Sequence, residues 1–314
     1  MNPTLSVCVI AFNHARYIGE CLESIVSQEA DFRFEVIVGD DCSTDGTVTI
    51  IDEYAARYPD IVRVIKHVRN VGGTDNMLSV HNAATGEFVA HMDGDDCMLP
   101  GKLQQQVDFL RAHMDHALVA HDVEIIDEHS NRIASTFGSV AVPETATLDY
   151  LVSRGCYFAH SSKVYRRTAA RSTHRDRPTV DLFFHIEQAL SGLVGYIDRP
   201  LGQYRKTGAG LSSIRSAFQR EVLLGHLDAY EYALQSGVSP EIVIPARLRF
   251  RYVNAMNCIR AGRLSEFRML ASATEEELRW ATVRERLVLR APARAVYLAS
   301  IVFDYATQQR RFAR

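Results

Sequence analysis

No segment of this chain reaches the roughly 18 consecutive apolar residues that a membrane-spanning helix needs. The start, MNPTLSVCVIAFNHARYIGE, lacks the basic opening and long apolar centre of a secretion signal, and its apolar stretch from Val7 to Phe12 is too short for either purpose. A soluble protein, or one attached only at a membrane surface, is expected. An excess of positive charge is also missing: the formal net charge is −3, which argues against a general nucleic-acid binder. The six cysteines (Cys8, Cys21, Cys42, Cys97, Cys156 and Cys258) are scattered without a CxxC pair and read as reduced core thiols of a cytosolic protein. Internal repeats and low-complexity tracts are absent. So are GxGxxG and GxxxxGKS/T, which disfavours dinucleotide and P-loop phosphate cradles.

What remains is ordinary globular composition, 47% hydrophobic and 23% charged, over 314 residues, enough for one large domain or two smaller ones. The first hundred residues alternate short β-branched runs with helical patterns, which predicts parallel strands joined by helices. LSVCVIAF, FEVIVGDD, IVRVIKH and EFVAHMD read as strands. Between them, ARYIGECLESIVSQ reads as a helix with Ile18, Leu22, Ile25 and Val26 on one face, STDGTVTIIDEYAARYP as a helix stopping before Pro59, and GTDNMLSVHNAATG as one closed by Gly86. The next hundred residues are mixed: helices in KLQQQVDFLRAH and VDLFFHIEQALSG, a strand pair in HALVAHDVEIIDEHSNRIAST, and a late strand in GYIDRPLGQYR. Beyond Ser212 strand signals fade. SAFQREVLLGHLDAYEYALQSG and TEEELRWATVRERLVLRAP read as helices, the second opening with a Thr274–Glu277 capping box and stopping at Pro292. The expected division is therefore 1–212 and a helical extension, 213–314.

Two acidic clusters end predicted strands: Asp40–Asp41, and Asp93, Asp95 and Asp96. In open parallel α/β sheets ligands sit at the carboxyl ends of the strands. Hard oxygen ligands on a turn suit Mg²⁺ or Mn²⁺, which commonly use one or two carboxylates plus substrate phosphates. A metal shared with a diphosphate would relieve the carboxylate repulsion. The required later ligands of an EF-hand are missing. A competing reading makes the Asp93–Asp96 segment a solvated turn capping the helix after Pro100. In VGDDCSTDGT, Ser43, Thr44 or Asp45 suits a helix cap, but two aspartates before the cap need another account, such as accepting hydrogen bonds from a base or ribose.

SVCVIAFNHARYIGECLESIVSQ, FEVIVGDDCSTDGT, RNVGGTDNMLSVHNAATGEFVAHMDGDD and PLGQYRKTGAGLS occur in an order and spacing that resembles family 2 inverting glycosyltransferases of the GT-A fold, a Rossmann-like mixed sheet flanked by helices. The resemblance covers roughly Leu5 to Ser212. It implies a nucleotide-diphosphate sugar donor, a divalent cation and a saccharide or lipid-linked acceptor. It also implies that Asp41 contacts the nucleobase, with Ala11 and Phe12 lining its pocket. Asp93 and Asp95 become the acids of a DxD motif near ribose, diphosphate and metal; Asp95 and Asp96 are the candidate metal ligands. The family's general base is an aspartate opening a late helix within an ED pattern. Here that is Asp181, preceded by Val180 instead of glutamate, with Asp176 and Glu187 as fallbacks. A helix-start aspartate favoured by the macrodipole is the competing account. A second departure is His81-Asn82 where Arg-Asn is common; Arg69 or Arg205, the latter in a YR element on a loop expected to close over the phosphates, would compensate. His160 is a candidate for the acceptor pocket.

The activity this implies is sugar transfer in bacterial surface polysaccharide or glycolipid synthesis, in the cytoplasm or at the inner face of the membrane. A nucleotidyltransferase would carry a Gly-rich basic loop where this chain has AFNHARYIG; the DxD acids argue against a noncatalytic sugar-nucleotide-binding module, which Val180 in place of the glutamate keeps open. The tail from Ala293 places Leu298, Ile301, Val302 and Tyr305 at helical spacing among arginines. It suits either an anionic membrane surface or packing on the catalytic domain or a second subunit.

Overall fold

The computed structural model describes residues 2–137, 141–169, 179–207 and 219–292, together with Val296. The fallback base Asp176, the expected boundary at Ser212 and the tail residues Leu298, Ile301, Val302 and Tyr305 lie outside the described residues. The chain divides into two compact units, Met1–Gly208 and Ala209–Arg314.

The first unit opens with β1 (Leu5–Ala11), α1 (Ile18–Val26), β2 (Phe34–Asp40), α2 (Thr47–Arg57), β3 (Val62–Lys66), α3 (Gly73–Asn82), β4 (Phe88–Asp93), β5 (Cys97–Met98) and α4 (Lys102–Ala112). It continues with β6 (His116–Ile126), β7 (Arg132–Ala134), β8 (Thr145–Ala146), α5 (Leu148–Arg154), β9 (Val164–Arg166), α6 (Asp181–Ala189) and β10 (Leu193–Arg205). These strands form one sheet in the order β3-β2-β1-β4-β9-β6-β10-β5, with β7 beside β6 and β8 beside β10. The first four strands are mutually parallel. Parallel strands are covered on both faces and so read as continuous apolar runs, as β1 does, where every residue but Ile10 is buried. β9 then runs antiparallel to both β4 and β6, making the sheet mixed.

Helix α1 seals one face through Ile18, Cys21, Leu22 and Ile25, while Val26 is only partly buried at the edge of that core. Register carries the acids to one edge. Ala11 lies opposite Asp40 and Ile10 opposite Asp93, so β1, β2 and β4 end together.

Helix α3 ends at Asn82, four residues short of the expected stop at Gly86. That glycine serves a close approach. A Cβ there would lie 2.6 Å from the Ser6 nitrogen, 2.8 Å from the Leu5 carbonyl carbon and 2.9 Å from the Phe88 oxygen. Ser6 Oγ accepts the amides of Gly86 (2.9 Å) and Thr85 (3.1 Å) and donates to Glu35 (2.6 Å), pinning the entry to β4 against β1.

The second unit holds α7 (Gln219–Gln235), α8 (Pro240–Arg260), α9 (Leu264–Leu270), α10 (Glu275–Leu278) and α11 (Val283–Arg290). Leu223, Leu248, Cys258, Ile259, Phe267 and Leu270 belong to its core. The single helix expected from Thr274 to Pro292 is two, because a second capping box, Thr282 with Glu285, restarts the chain after Trp280.

Gly86→Ala sets a methyl against backbone that has no room to retreat. Overpacking of this kind costs about 1–3 kcal/mol, and urea denaturation followed by far-UV circular dichroism should show a loss of that size. An unchanged midpoint would mean the β1–β4 crossing is looser than these distances imply.

Candidate active site

The carboxyl edge of β1, β2 and β4 is laced by short bonds between two loops. Asn13 donates its amide to Ser43 Oγ (2.9 Å), and its side-chain oxygen accepts the Thr44 amide (2.9 Å). The His14 amide donates to Thr47 Oγ1 (2.8 Å) and the Ala15 amide to Asp45 (3.0 Å). Asn13 and Cys42 both take left-handed backbone angles, φ 54° and 61°, a strain that persists only where surrounding bonds over-determine the loop. Asp45, one residue ahead of the N-cap Gly46, accepts both the amide (3.1 Å) and the hydroxyl (2.6 Å) of Thr47 and so caps α2. Next to this lacing Ala11 is buried, while Phe12 stands 44% exposed. Asp41 is buried too, and its carboxylate accepts the amides of Val71 (2.6 Å) and Gly72 (2.9 Å). Arg69 is exposed on the same loop after β3.

The turn after β4 differentiates its three acids. Gly94 brings the backbone close: a Cβ there would fall 2.9 Å from both His14 Nδ1 and the Ile10 oxygen. Asp93 is taken on both oxygens, His91 Nε2 at 3.2 Å and Ser161 Oγ at 3.0 Å. Burial pushes its pKa up, but the bonds from His91 and Ser161 outweigh that and hold it below the usual carboxylate range. Asp95, partly exposed, is pushed upward by burial, with the Asp93 charge adding and His14 opposing. Asp96 is buried; one oxygen accepts the Arg205 amide (2.8 Å) and Oδ2 has no partner. Burial first, then Asp95 and Asp93, drive it well above the usual range.

An orphaned buried carboxylate oxygen beside a second carboxylate whose charge is disfavoured by its neighbours is chemistry that fits a hard divalent cation. Among the described residues no three His, Cys, Asp or Glu side chains gather as a metal site. A cation held by one or two carboxylates and completed by phosphate oxygens needs no such cluster.

Arg205, expected over the phosphates, is seated elsewhere. Its side chain is buried, with Nε on the Asp95 carbonyl (2.8 Å), one terminal nitrogen on the Asp127 carbonyl (3.1 Å) and Ser130 Oγ (2.9 Å), and the other on Glu20 (2.7 Å) and near Cys97 Sγ (4.0 Å). The Tyr17 ring lies 4.6 Å below the guanidinium. All five N–H donors of an arginine are thereby engaged, and they clamp the acidic turn from behind.

Asp181 opens α6, and its N-cap Val180 offers no side-chain cap. The carboxyl is 59% exposed, yet its surroundings raise its pKa to about 6, burial first and then the Asp93 charge, with Lys163 pulling the other way. Behind it stands a short turn, residues 160–163. His160 Nδ1 is 3.7 Å from the Asp181 carboxylate, and Ser161 is the residue that bonds Asp93. This turn therefore touches both acids, one on the donor-side cluster and one at the head of α6. His160 is buried, with Nδ1 3.1 Å from His185 Nε2. Glu187, the other fallback base, is 4% exposed and out of an acceptor's reach.

His81 does not face the donor side as an arginine would. Tyr165 Oη, His81, His91 and Asp93 form one chain of bonds at 2.7, 2.9 and 3.2 Å. Burial holds both histidines below their usual pKa, and with neutral rings the bonds run in one direction. Tyr165 donates to His81 Nδ1, His81 Nε2–H to His91 Nδ1, and His91 Nε2–H to the carboxylate. The sequence reading missed His91, Ser161, Lys163 and Tyr165; a histidine inside the apolar run EFVAHMD and the polar run HSSK between apolar residues were the available signals.

The sequence pattern described as Glycosyl transferase family 2 matches residues 6–173. Protein Rv1520 of Mycobacterium tuberculosis is 34% identical over 212 residues, which are 66% of this chain and 60% of its own length. The poly(ribitol-phosphate) beta-N-acetylglucosaminyltransferase TarS of Staphylococcus aureus is 30% identical over 165 residues, 52% of this chain and 27% of TarS. The crystal structure of TarS residues 1–349 with UDP-GlcNAc superposes with a TM-score of 0.54 at 20% identity, covering 89% of this chain and 92% of that one. The mannosyltransferase PcManGT of Pyrobaculum calidifontis, in complex with GDP-Man and Mn²⁺, gives 0.57 at 18% identity, covering 96% and 87%. The shared fold is GT-A.

Arg205→Lys keeps a charge but forfeits most of these bonds, including those to two backbone carbonyls. Hydrogen bonds to charged groups contribute about 1.5–3 kcal/mol each, so the variant should lose about 3 kcal/mol or more in urea denaturation. Wild-type stability would remove the clamp from the account of the turn.

Proposed function

The chain belongs to glycosyl transferase family 2, and on that premise we propose that it is a metal-dependent inverting glycosyltransferase. It moves a sugar from a nucleotide-diphosphate donor to a hydroxyl of a saccharide or lipid-linked acceptor in bacterial polysaccharide or glycolipid synthesis. The observation that carries the proposal is the pairing of Asp93 with Asp181 through the 160–163 turn, which joins the acidic donor-side edge to an accessible carboxylate of pKa about 6. In an inverting transfer the acceptor oxygen bonds to the anomeric carbon as the bond to the diphosphate oxygen breaks, and the acceptor's proton must leave. Asp181 takes that proton; a base poised near the operating pH is ionised yet still basic enough to work.

The other residues position the donor. Asp41, Ala11 and Phe12 form the base and ribose end, with Asp41 held by the Val71 and Gly72 amides. Asp93, oriented by His91 and Ser161, faces the ribose and diphosphate, and Asp95 and Asp96 are the cation ligands. A bound Mn²⁺ or Mg²⁺ supplies positive charge against the departing nucleoside diphosphate. Arg205 acts through the Asp93–Asp96 turn that it clamps. The first loop, AFNHARYIG, has no Gly-rich basic stretch, which argues against a nucleotidyltransferase. The proposed setting is cytoplasmic, at or near the inner face of a membrane; among the described residues no helix is long and apolar enough to cross one.

Asp181→Asn should leave nucleotide-sugar affinity within a few-fold while transfer falls by about 10²-fold or more, the usual scale for losing a general base. The same assignment gives wild-type transfer an acid limb near pH 6, since Asp181 is protonated below its pKa and ionised above it. Near wild-type transfer by the variant would place the base elsewhere.

Donor turnover should stop in excess EDTA and return with Mn²⁺, and Asp95→Ala should lose most activity while remaining folded. Full turnover in EDTA would dispose of the cation.

A further inference from the structure

Lys163 is fully buried, and its ammonium nitrogen has no hydrogen-bond partner. It ends the turn whose His160 lies against Asp181 and whose Ser161 bonds Asp93. Its Nζ stands 5.9 Å from the centre of the Tyr165 ring. A buried lysine with no bonded protein partner is costly to keep, and a core of this kind is ordinarily filled by an apolar side chain. Something other than packing retains it.

We infer that Lys163 is a positioning residue, the buried counter-charge of the Asp93–Asp181 carboxylate pair. The inference rests on Asp181 being the base. The charges that act on Lys163 come from β4, α6 and the segment after α5. Burial lowers its pKa to about 7, against the pull of Asp181, Cys156, Asp93 and Glu187, in that order. Asp93 comes from β4, Asp181 and Glu187 from α6, and Cys156 from the segment after α5. The imidazoles around it, His91 on β4, His160 on the same turn, His81 on α3 and His185 on α6, are all held below their usual pKa, burial first, with Lys163 adding to the effect. Neutral histidines leave Lys163 as the charge that answers the two acids from inside. It is too deeply buried to touch an acceptor, so it acts through Asp181, which is exposed.

The sign follows. An adjacent cation favours the ionised carboxylate, so Asp181 titrates lower with Lys163 than without it. The test reads Asp181 directly and needs no substrate: the full chain carrying ¹³C-carboxyl aspartate is titrated by NMR, with the Asp181 signal assigned by its loss in Asp181→Asn. In Lys163→Met and Lys163→Gln the Asp181 midpoint should rise by about one pH unit. Melting temperatures should stay near wild type, because the cost of burying an ammonium with no bonded partner is removed while Asp181 remains open to solvent. An unmoved midpoint in either folded variant overturns the proposal. So does a fall of many degrees in the melting temperature of both, which would make Lys163 a prop of the fold. The outcome is separable from the base assignment, since near wild-type sugar transfer by Asp181→Asn would remove that assignment while leaving the titration result intact.

Discussion

Carboxylates carried to the same end of adjacent parallel strands repel one another. In this chain β1, β2 and β4 stop within a residue of each other, so Asp40, Asp41, Asp93, Asp95 and Asp96 share one edge. Each acid is answered differently. Asp41 is held by two backbone amides and Asp93 by an imidazole and a hydroxyl, whereas Asp96 keeps one oxygen unpartnered and Asp95 remains partly open. The resulting spread, with Asp93 low and Asp95 and Asp96 high, separates an acid that orients from acids whose charge awaits a cation. Pairs of like groups pushed apart by their surroundings are how one site assigns distinct roles to identical side chains.

The donors chosen to hold Asp93 are neutral. A chain from Tyr165 through His81 and His91 delivers a hydrogen bond without delivering a charge, so the edge stays negative. Among the described residues, Arg205 and Lys163 are two positive charges near these acids, and both are buried. Arg205 spends its five donors behind the turn, and Lys163 is sealed beneath the 160–163 turn. Both lie at the ends of late elements, β10 and the start of β9, which the mixed half of the sheet inserts beside β4 and β6. The antiparallel β9 matters for this reason: it brings residues 160–163 back to the end of β4, where a purely parallel continuation would have carried them away.

The parallel half of the fold was legible because its signals are local. Apolar runs ending in aspartate give strands, helical spacing gives Ile18, Leu22 and Ile25 one face, and strands of matched length put the acid clusters on one edge. Asp181 was legible as a helix-opening acid, though not its pairing with Asp93. Local signals misled where two structures share one pattern. Gly86 looked like a helix stop and is instead a point of backbone contact, and the run from Thr274 to Pro292 held a second capping box that divides it.

The early strands, the helix faces and the presence of an acidic carboxyl edge were thus determined by residue order alone, since periodicity and capping act over a few residues. What only the tertiary structure decided was the environment of each charge. Arg205 is held by five acceptors that come from α1, the β4–β5 turn, β5 and the β6–β7 turn. Asp181 is pushed up to about 6 by burial and by the Asp93 charge on β4, with Lys163 pulling the other way. Desolvation and Coulomb interaction depend on distance in space, and residues remote in sequence set them.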